Sequence, residues 1–394
     1  MLDAFRTETR AWLEANCPPS MRTPMPAEET VWGGRKPTYI NPDSKLWMDR
    51  MAARGWTAPT WPREYGGGGL SEAEASVLQE EMRALGCRVA LNSFGLNMLG
   101  PVLLEFGNEA QKREHIPPIV RGEIRWCQGY SEPGAGSDLA SLQTRAVLQG
   151  DHFLVNGHKI WTSYAHYADK IFCLVRTDPA ARKHDGISFI LIDMAGAGVR
   201  ARPIRLISGA SVFCETFFEN VRVPAENLVG ELNKGWTIAK RLLEHERKSI
   251  GGIGDRQNSR ADALIQDLAK QHAGEIAGRI ADPILRDRVA AQAMDAHAFQ
   301  LTRRRAAEEA EAGASPGPLS AMFKYYGTEL NKQRFEMLLM ARGTQGLGWE
   351  GDGFEEPELR NTREWLRSKA NSIEGGTSEV QLNIIAKRVL GLPD

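Results

Sequence analysis

The spacing of hydrophobic positions changes twice along the chain, and these changes predict three regions of structure. Up to about residue 122, hydrophobic residues recur at helical spacing, as Phe5, Trp12 and Leu13 do. From there to about residue 233, short runs rich in Ile, Val and Phe are separated by turns, which is typical of β-strands. The helical spacing then returns and continues to the end. We therefore expect an α+β chain, mostly α, with an N-terminal helical domain (1–122), a central antiparallel β domain (123–233) and a C-terminal helical bundle (234–394).

Two short motifs predict local structure within these regions. Ser71-Glu-Ala-Glu74 has the spacing of a capping box, which predicts that a helix begins there. Asn156-Gly157 separates the runs His152–Val155 and His158–Trp161 and predicts a hairpin turn between two strands. Strands that lie between two series of helices argue against a doubly wound fold.

Composition and charge exclude several classes of protein. The 49 Lys and Arg nearly balance the 50 Asp and Glu, so the net charge of −1 gives no sign of binding to nucleic acid or to an anionic membrane. The five cysteines are widely spaced and form no Cys-x-x-Cys pair, so we expect no disulfide framework, no metal site and a cytoplasmic location. No uncharged apolar run approaches the ~18 residues of a membrane-spanning helix. The N-terminus resembles neither a signal peptide nor a transit peptide.

A glycine-rich segment in the β region is the first candidate for binding chemistry. Gly134 and Gly136 fit the start of a dinucleotide-binding motif, but the third glycine of that motif would fall at Leu139. We therefore reject a Rossmann site. Glycines leave the backbone N–H groups open to a ligand, and Ser131 and Ser137 add hydroxyl groups. The alternative is a plain turn in which Ser137 or Asp138 caps the next segment.

Trp161-Thr-Ser163 ends a predicted strand and is the second candidate. An indole ring beside hydroxyl groups can flank an aromatic cofactor and donate hydrogen bonds to it. The alternative is an ordinary strand end whose tryptophan packs in the interior.

The predicted helix after Gly235 contains a carboxylate in a hydrophobic stripe. Glu246 has no basic residue three or four positions away on the helix, so no local ion pair can neutralise it. Such a carboxylate either pairs with another element or is desolvated, which raises its pKa and suits a general base. Arg247 lies at the edge of the same stripe. The stripe consists of Leu232, Trp236, Ala239, Leu243 and Ile250.

The segment from Glu374 to Glu379 is the fourth candidate. Gly375 and Gly376 allow close approach of a ligand to the backbone and leave N–H donors free. The alternative is a glycine hinge in which Thr377 or Ser378 forms the N-cap of the last helix.

Taken together, these segments resemble the acyl-CoA dehydrogenase family over nearly the whole chain. The most specific matches are Ser-Glu-Pro-Gly-Ala-Gly-Ser-Asp at 131–138 and the stretch at 217–236. The resemblance implies FAD, an acyl-CoA substrate in fatty acid metabolism, desaturation between Cα and Cβ, and an electron-transferring flavoprotein as acceptor. It also implies a C-terminal four-helix bundle and a homotetramer.

The resemblance assigns candidate site residues. Those beside the flavin are Gln128, Tyr130, Ser131, Trp161 and Ser163, and Ser137 resembles the hydroxyl on the pyrophosphate side of FAD. Those that reach the FAD of a neighbouring subunit are Gln345, Gly346 and Gly348, and the C-terminal FAD contacts are Thr377 and Glu379. Arg247, Gly375 and Gly376 resemble residues at the substrate.

The position of the catalytic base distinguishes two subtypes of this family. Many members have a glutamate directly before the Gly-Thr pair, where this chain has Gly375, with Glu374 one residue earlier. A minority carry a Glu-Arg pair on the bundle helix, and Glu246-Arg247 matches it. The resemblance therefore implies that Glu246 takes the α-proton while hydride leaves Cβ for flavin N5. A flavin oxidase or monooxygenase of the same fold, or a non-catalytic subunit that completes a partner's FAD site, remains the alternative.

Overall fold

The structure, a computed structural model, describes residues 2–251, 258–312 and 319–393, and the side chains of 244–264 lie outside that description. Contacts between Cα atoms divide the chain into two compact units. The first comprises Met1–Ile204 and Val212–Leu242, and the second comprises Arg205–Ser211 and Leu243–Asp394.

The first unit begins with helices that pack around large hydrophobic side chains. Leu13, Trp47 and Leu78 come from different helices and are at most 2% exposed. The predicted capping box is confirmed, because Ser71 Oγ accepts from Glu74 N (3.3 Å) and Glu74 Oε2 accepts from Ser71 N (2.8 Å). The helices are α1 (Leu2–Asn16), α2 (Pro42–Ala53), α3 (Glu72–Ala84), α4 (Gly100–Phe106) and α5 (Glu109–Val120).

An eight-stranded sheet forms the rest of this unit, in the order β6-β7-β3-β2-β4-β5-β8, with β1 paired to β4. Neighbouring strands are antiparallel except β1 with β4 and a single residue pair between β2 and β4. The apolar runs in β4 and β5 are buried along nearly their whole length. The strands are β1 (Trp126–Gly129), β2 (Arg145–Gln149), β3 (His152–Ser163), β4 (Lys170–Arg176), β5 (Ile187–Asp193), β6 (Val199–Ile204), β7 (Phe213–Pro224) and β8 (Leu228–Val229).

The hairpin predicted at Asn156-Gly157 is wrong, because β3 runs through both residues. The pairing of β3 with β7 shifts register there, which indicates a bulge. Asn156 Oδ1 accepts from Asn220 N (2.8 Å) on β7, so its polar side chain bonds across strands instead of forming a turn. A Cβ on Gly157 would lie 2.4 Å from Thr144 Oγ1, so glycine is needed for close packing. The turn that joins β2 to β3 lies at residues 150–151.

The second unit is helical, and α9 lies at its centre because it packs against α7, α8, α10 and α11. Its core includes Ile265, Ala269, Val289 and Leu338. None of the helices in the described part of the chain has the length and apolar character needed to cross a bilayer. The helices are α6 (Gly235–Gly251, which begins in the first unit), α7 (Asn258–Ala273), α8 (Pro283–Glu311), α9 (Leu319–Arg342), α10 (Glu356–Ser368) and α11 (Ser378–Ile384), with a short hairpin of β9 (Glu275–Ile276) and β10 (Arg279–Ile280). The predicted fold class is confirmed.

Candidate functional site

The fold brings the first two candidate segments side by side. Strand β1 carries Gln128 and leads into Tyr130 and Ser131, while β3 ends in 161–163. Ser131 O accepts from Ile160 N (2.9 Å), and Tyr130 O accepts from Lys159 Nζ (3.0 Å). The end of β1 is therefore fixed to the last residues of β3.

A buried ion pair holds the base of the glycine-rich loop. Lys159 is fully buried and its Nζ lies 2.7 Å from Glu132 Oε1. The same carboxylate accepts from Gln143 N (2.6 Å) and Thr144 N (2.9 Å). Burial raises the pKa of Glu132, but the charge of Lys159 and these hydrogen bonds outweigh it, so this pKa lies below its usual value. The carboxylate thus joins both ends of the loop as an ion.

The tip of this loop has space that the chain itself does not fill. A Cβ placed on Gly134 or Gly136 would meet no atom within 4 Å, and neither glycine has a positive φ. Ser137 is exposed beside them. The fold therefore does not require glycine at these positions, and the open space fits a ligand that approaches the backbone. The loop also borders a cleft of about 450 Å³, lined by Glu132, Pro133, Gly134, Ser141, Gln143, Thr144, Gly157 and His158.

Trp161 is both exposed and held in an unusual backbone conformation. Its φ is +60°, in the left-handed region that bulky residues rarely adopt, and 53% of the residue is exposed. Phe213 packs edge-on against its indole, with ring centroids 6.0 Å apart. Ser163, two residues on, is half-buried. Strain of this kind is often found at ligand sites, and the exposed ring face is available to a planar ligand.

In the second unit, the carboxylate of Glu374 is held by its neighbours. Its Oε2 lies 2.7 Å from a guanidinium nitrogen of Arg367, and its Oε1 accepts from Asn371 Nδ2 (2.5 Å). Fully buried Lys324 donates to Asn371 O (3.0 Å), and burial lowers the pKa of this lysine. Both carboxylate oxygens of Glu374 are therefore bonded to neighbouring side chains. Lys324 on α9 in turn fixes the position of Asn371, one of those neighbours.

The glycines after Glu374 have a structural explanation. Gly375 and Gly376 have φ values of +65° and +91°, which favour glycine, and a Cβ on Gly376 would lie 2.4 Å from Gln381 Nε2. Thr377 is the N-cap of α11, because its Oγ1 accepts from Val380 N (3.2 Å). The hinge-and-cap alternative thus describes the local geometry, and Glu379 follows it on the exposed first turn.

The Gln345 loop follows the C-terminal end of α9. Thr362 Oγ1 donates to Gly346 O (3.1 Å), and a Cβ on Gly348 would lie 2.4 Å from the ring of Phe354. Gln345 is half-buried. Ser378 Oγ, beside Thr377, donates to Glu329 Oε1 (3.4 Å), and from Glu329 to the last residue of α9 the helix rises about 20 Å at about 1.5 Å per residue. The structure therefore separates the Gln345 loop from the Thr377 loop.

The helix predicted after Gly235 is present, but its hydrophobic stripe differs from the prediction. Leu232 precedes α6 and is 42% exposed, so its place in the stripe is wrong. Among the α6 residues whose side chains the structure describes, Gly235, Ile238, Ala239 and Leu242 are buried. Helix α6 passes through residues 246 and 247, and the side chains of Glu246 and Arg247 lie outside the described part of the structure.

Sequence reasoning gave no role to the residues that support these loops. Lys159 lies an even number of residues after the buried Phe153 and Val155 in β3. Alternate residues of a strand share a face of the sheet, so the lysine is expected to face inward. Its partner Glu132 lies in the glycine-rich motif at 131–138, but the sequence spacing does not indicate that the two side chains form an ion pair. In the described ranges, no three His, Cys, Asp or Glu side chains are grouped so that they could hold a metal ion.

Known proteins match this chain along its length. Three family models match it: the N-terminal domain of acyl-CoA dehydrogenase at residues 2–123, the middle domain at 127–221 and the C-terminal domain at 233–390. Acyl-CoA dehydrogenase IpdE1 of Mycobacterium tuberculosis is 34% identical over 398 residues, which cover 100% of this chain and 98% of that protein.

Two solved structures are similar over the full chain. The "Tcur3481-Tcur3483 steroid ACAD" has a TM-score of 0.77 at 32% identity and covers 100% of this chain and 97% of its own. The ChsE4-ChsE5 complex from Mycobacterium tuberculosis has a TM-score of 0.75 at 29% identity and covers 100% and 98%. Because family models, a relative of matching length and the order of helices and sheet all agree, the resemblance seen in the sequence is confirmed, and the chain belongs to the acyl-CoA dehydrogenase family of flavin-dependent oxidoreductases.

Proposed function

We propose that this protein uses FAD to desaturate the Cα–Cβ bond of an acyl-CoA thioester whose acyl group is bulky and polycyclic. The observation that carries the proposal is the open space at Gly134 and Gly136 on the loop joined to the strand end of Trp161. The polycyclic acyl group is inferred from the similar structure named as a steroid ACAD. Gly375, which has no side chain where many family members carry glutamate, supports a roomy substrate site.

The residues of the first unit fit a flavin. An exposed indole, hydroxyl groups and a glycine loop with unfilled space match the aromatic ring system and phosphates of FAD. When bound, FAD supplies the acceptor for the hydride that leaves Cβ. In the first unit it would be held by Gln128, Tyr130, Ser131, Ser137, Trp161 and Ser163.

Glu246 is the proposed base for the α-proton. Glu374, the rival carboxylate, has Arg367 and Asn371 on its two oxygens, so neither oxygen is left open for a substrate. Leu242 is buried on the described part of α6, and Glu246 lies four residues, about one helical turn, further along the same helix. In this proposal, Arg247 contacts the substrate, and backbone N–H groups at 375–376 stabilise the negative charge that develops on the thioester oxygen.

Turnover of a panel of acyl-CoA thioesters tests the proposed function. The panel contains straight-chain, branched and steroid side-chain thioesters, and a dye replaces the electron-transferring flavoprotein as acceptor. We expect the highest kcat/KM for the polycyclic thioester. If no thioester reduces the flavin, the proposal fails; if reduced flavin reacts rapidly with oxygen, an oxidase or monooxygenase is the better assignment.

Alanine at the loop glycines should weaken FAD binding without unfolding the protein. A methyl group in the space kept for a ligand should cost about 1–3 kcal/mol of binding free energy. Gly134→Ala and Gly136→Ala should therefore raise the dissociation constant for FAD, measured by absorbance titration of apoprotein, and leave its melting temperature unchanged. Gly353, which also has no atom within 4 Å of a built Cβ, provides the matched control. Wild-type protein that rejects FAD, or two alanine variants that bind it normally, would contradict the assignment.

The proposed assembly is a homotetramer, and at least a dimer. The Gln345 loop follows the C-terminal end of α9, whereas Ser378 beside Thr377 contacts Glu329 near the middle of that helix. This separation supports contacts from one chain to two different FAD molecules. Light scattering of the FAD-loaded protein should give the mass of a dimer or tetramer. A stable and active monomer would refute this arrangement.

A second candidate is a chain that works only together with a different subunit. It is favoured by the similar ChsE4-ChsE5 complex, which is named for two components. In that case the purified chain would not retain FAD until the second subunit is added, which the same titration detects.

A further inference from the structure

Arg125 lies among three aromatic rings at the start of β1. Its guanidinium carbon is 4.8 Å from the ring centroid of Trp32 and 5.3 Å from those of Tyr164 and Tyr167. Burial lowers the pKa of Arg125, but a guanidinium is so weakly acidic that the group stays cationic. We call these four residues the Arg125 cluster.

The fold fixes the cluster in place. Asp169 Oδ2 accepts from Arg125 N (2.8 Å) and from Arg35 N (2.9 Å), which ties the loop that carries Trp32 to the start of β1. Gly33, directly after Trp32, has a φ of +67°, and a Cβ there would lie 2.3 Å from Gly122 O. Phe94 packs against Trp32 with ring centroids 6.0 Å apart. The rings are therefore held by specific contacts.

No carboxylate in the described part of the chain forms an ion pair with the Arg125 guanidinium. The charge of Asp169 partly offsets the effect of burial on the pKa of Arg125, but Asp169 Oδ2 accepts from the backbone N–H groups of Arg125 and Arg35. An arginine that stacks on aromatic faces keeps its in-plane N–H groups free to bind a carboxylate with two hydrogen bonds. Arg125 is half-buried and Tyr167 is 63% exposed, so this edge is accessible from solvent.

The cluster adjoins the candidate flavin residues. Arg125 lies three residues before Gln128, which is roughly 10 Å along a strand, and Tyr164 directly follows Ser163. A group bound at the cluster would thus sit some distance from the residues assigned to the flavin. The far end of an acyl group meets this condition, whereas the thioester does not.

We propose that the Arg125 cluster binds a carboxylate at the far end of the acyl group, so that, of two acyl-CoA thioesters with the same carbon skeleton, the one that ends in a carboxylate is preferred. This inference rests on the proposed function, since it takes the ligand to be an acyl-CoA. Arg125 supplies two charge-assisted hydrogen bonds, and the aromatic rings around the guanidinium lower the local dielectric, which strengthens these bonds.

A series of acyl-CoA thioesters of increasing length tests the inference. CoA monothioesters of dicarboxylic acids of increasing length are each paired with the methyl-terminated acyl-CoA of the same carbon number. Dissociation constants for the FAD-loaded protein are measured by calorimetry, and kcat/KM is measured with a dye acceptor. At one or more lengths, the wild type should bind the dicarboxylic thioester at least about tenfold more tightly than its methyl-terminated pair.

Variants separate recognition from folding. Arg125→Gln should abolish the preference for the dicarboxylic thioester and leave binding of the methyl-terminated thioesters unchanged. Arg125→Lys keeps the positive charge but cannot donate two parallel hydrogen bonds, so it should retain part of this preference. Arg200, which lies 4.6 Å from the ring centroid of Phe217 on the sheet, is the matched control, and Arg200→Gln should change nothing.

The outcomes distinguish this inference from the proposed function. No preference at any length, or a preference that survives in Arg125→Gln, overturns the inference even if thioesters are oxidised. A preference in binding that depends on Arg125 supports it even if no thioester is oxidised, in which case the proposed function alone fails.

Discussion

Glu246→Gln should lower the rate of flavin reduction by an acyl-CoA by at least about 100-fold, which is the usual contribution of a general base. Glutamine keeps the shape of the side chain but does not accept the α-proton. Binding of FAD and of acyl-CoA should remain, since neither depends on that proton. Stopped-flow absorbance at the flavin band measures the rate directly.

Glu374→Gln is the matched control for this experiment. Because Arg367 and Asn371 already occupy the carboxylate, its replacement should slow flavin reduction far less. The opposite order of the two effects would assign the base to the Glu374 loop and refute the helix assignment. If neither change matters, oxidation of a thioester is not what this protein does.

Lys159→Met should destabilise the first unit by about 3–5 kcal/mol, the cost of leaving a buried charge without its partner. Glu132 would remain in the interior with two backbone N–H groups but without the ammonium group 2.7 Å away. Urea unfolding followed by circular dichroism measures the loss. Lys183→Met, which removes the exposed ion pair with Asp138 in the same loop, should cost less than about 1 kcal/mol.

The dependence on pH gives a second readout of the same pair. The pKa of Glu132 is lowered in the folded state, so its contribution to stability is present above the unfolded-state pKa of about 4.3 and is lost as the pH falls through the lower folded value. In Lys159→Met this pKa should rise, and protonation should relieve the buried charge. The difference in stability between wild type and variant should therefore narrow in acid. A constant difference across the range would mean that Glu132 is not the charge left behind.

The order of helices and sheet was predictable from the sequence, because the spacing of hydrophobic residues depends only on positions close together in the chain. The capping box at Ser71 was predictable for the same reason, since both partners lie within one turn. The hairpin at Asn156-Gly157 was mispredicted because the turn dipeptide is instead used in a bulge, where Asn156 bonds to Asn220 on another strand. A local signal does not reveal such a partner 64 residues away.

The candidate site shows the same limit. The segments with glycine, hydroxyl and indole groups were recognisable from residue types alone, and the structure joins two of them through Ser131 and Ile160. The pairing of Glu132 with Lys159, and the burial of Lys324 against Asn371, depend on contacts between distant segments and carried no pattern that specified both partners. The orientation of Glu374 depends on the backbone conformation of Gly375 and Gly376, which both have positive φ values. The sequence does not specify the dihedral angles of such a glycine hinge.

Helix α9, with 24 residues, contacts the Thr377 loop through Glu329 near its middle and leads into the Gln345 loop at its C-terminal end. A rigid helix couples the orientation of two points along it as well as their separation. Inserting one residue between Glu329 and Arg342 would rotate one loop by about 100° relative to the other and move it by about 1.5 Å. Substitutions within α9 do not change the relative rotation of the two loops. The helix should therefore accept changes of side chain far more readily than any change in its length.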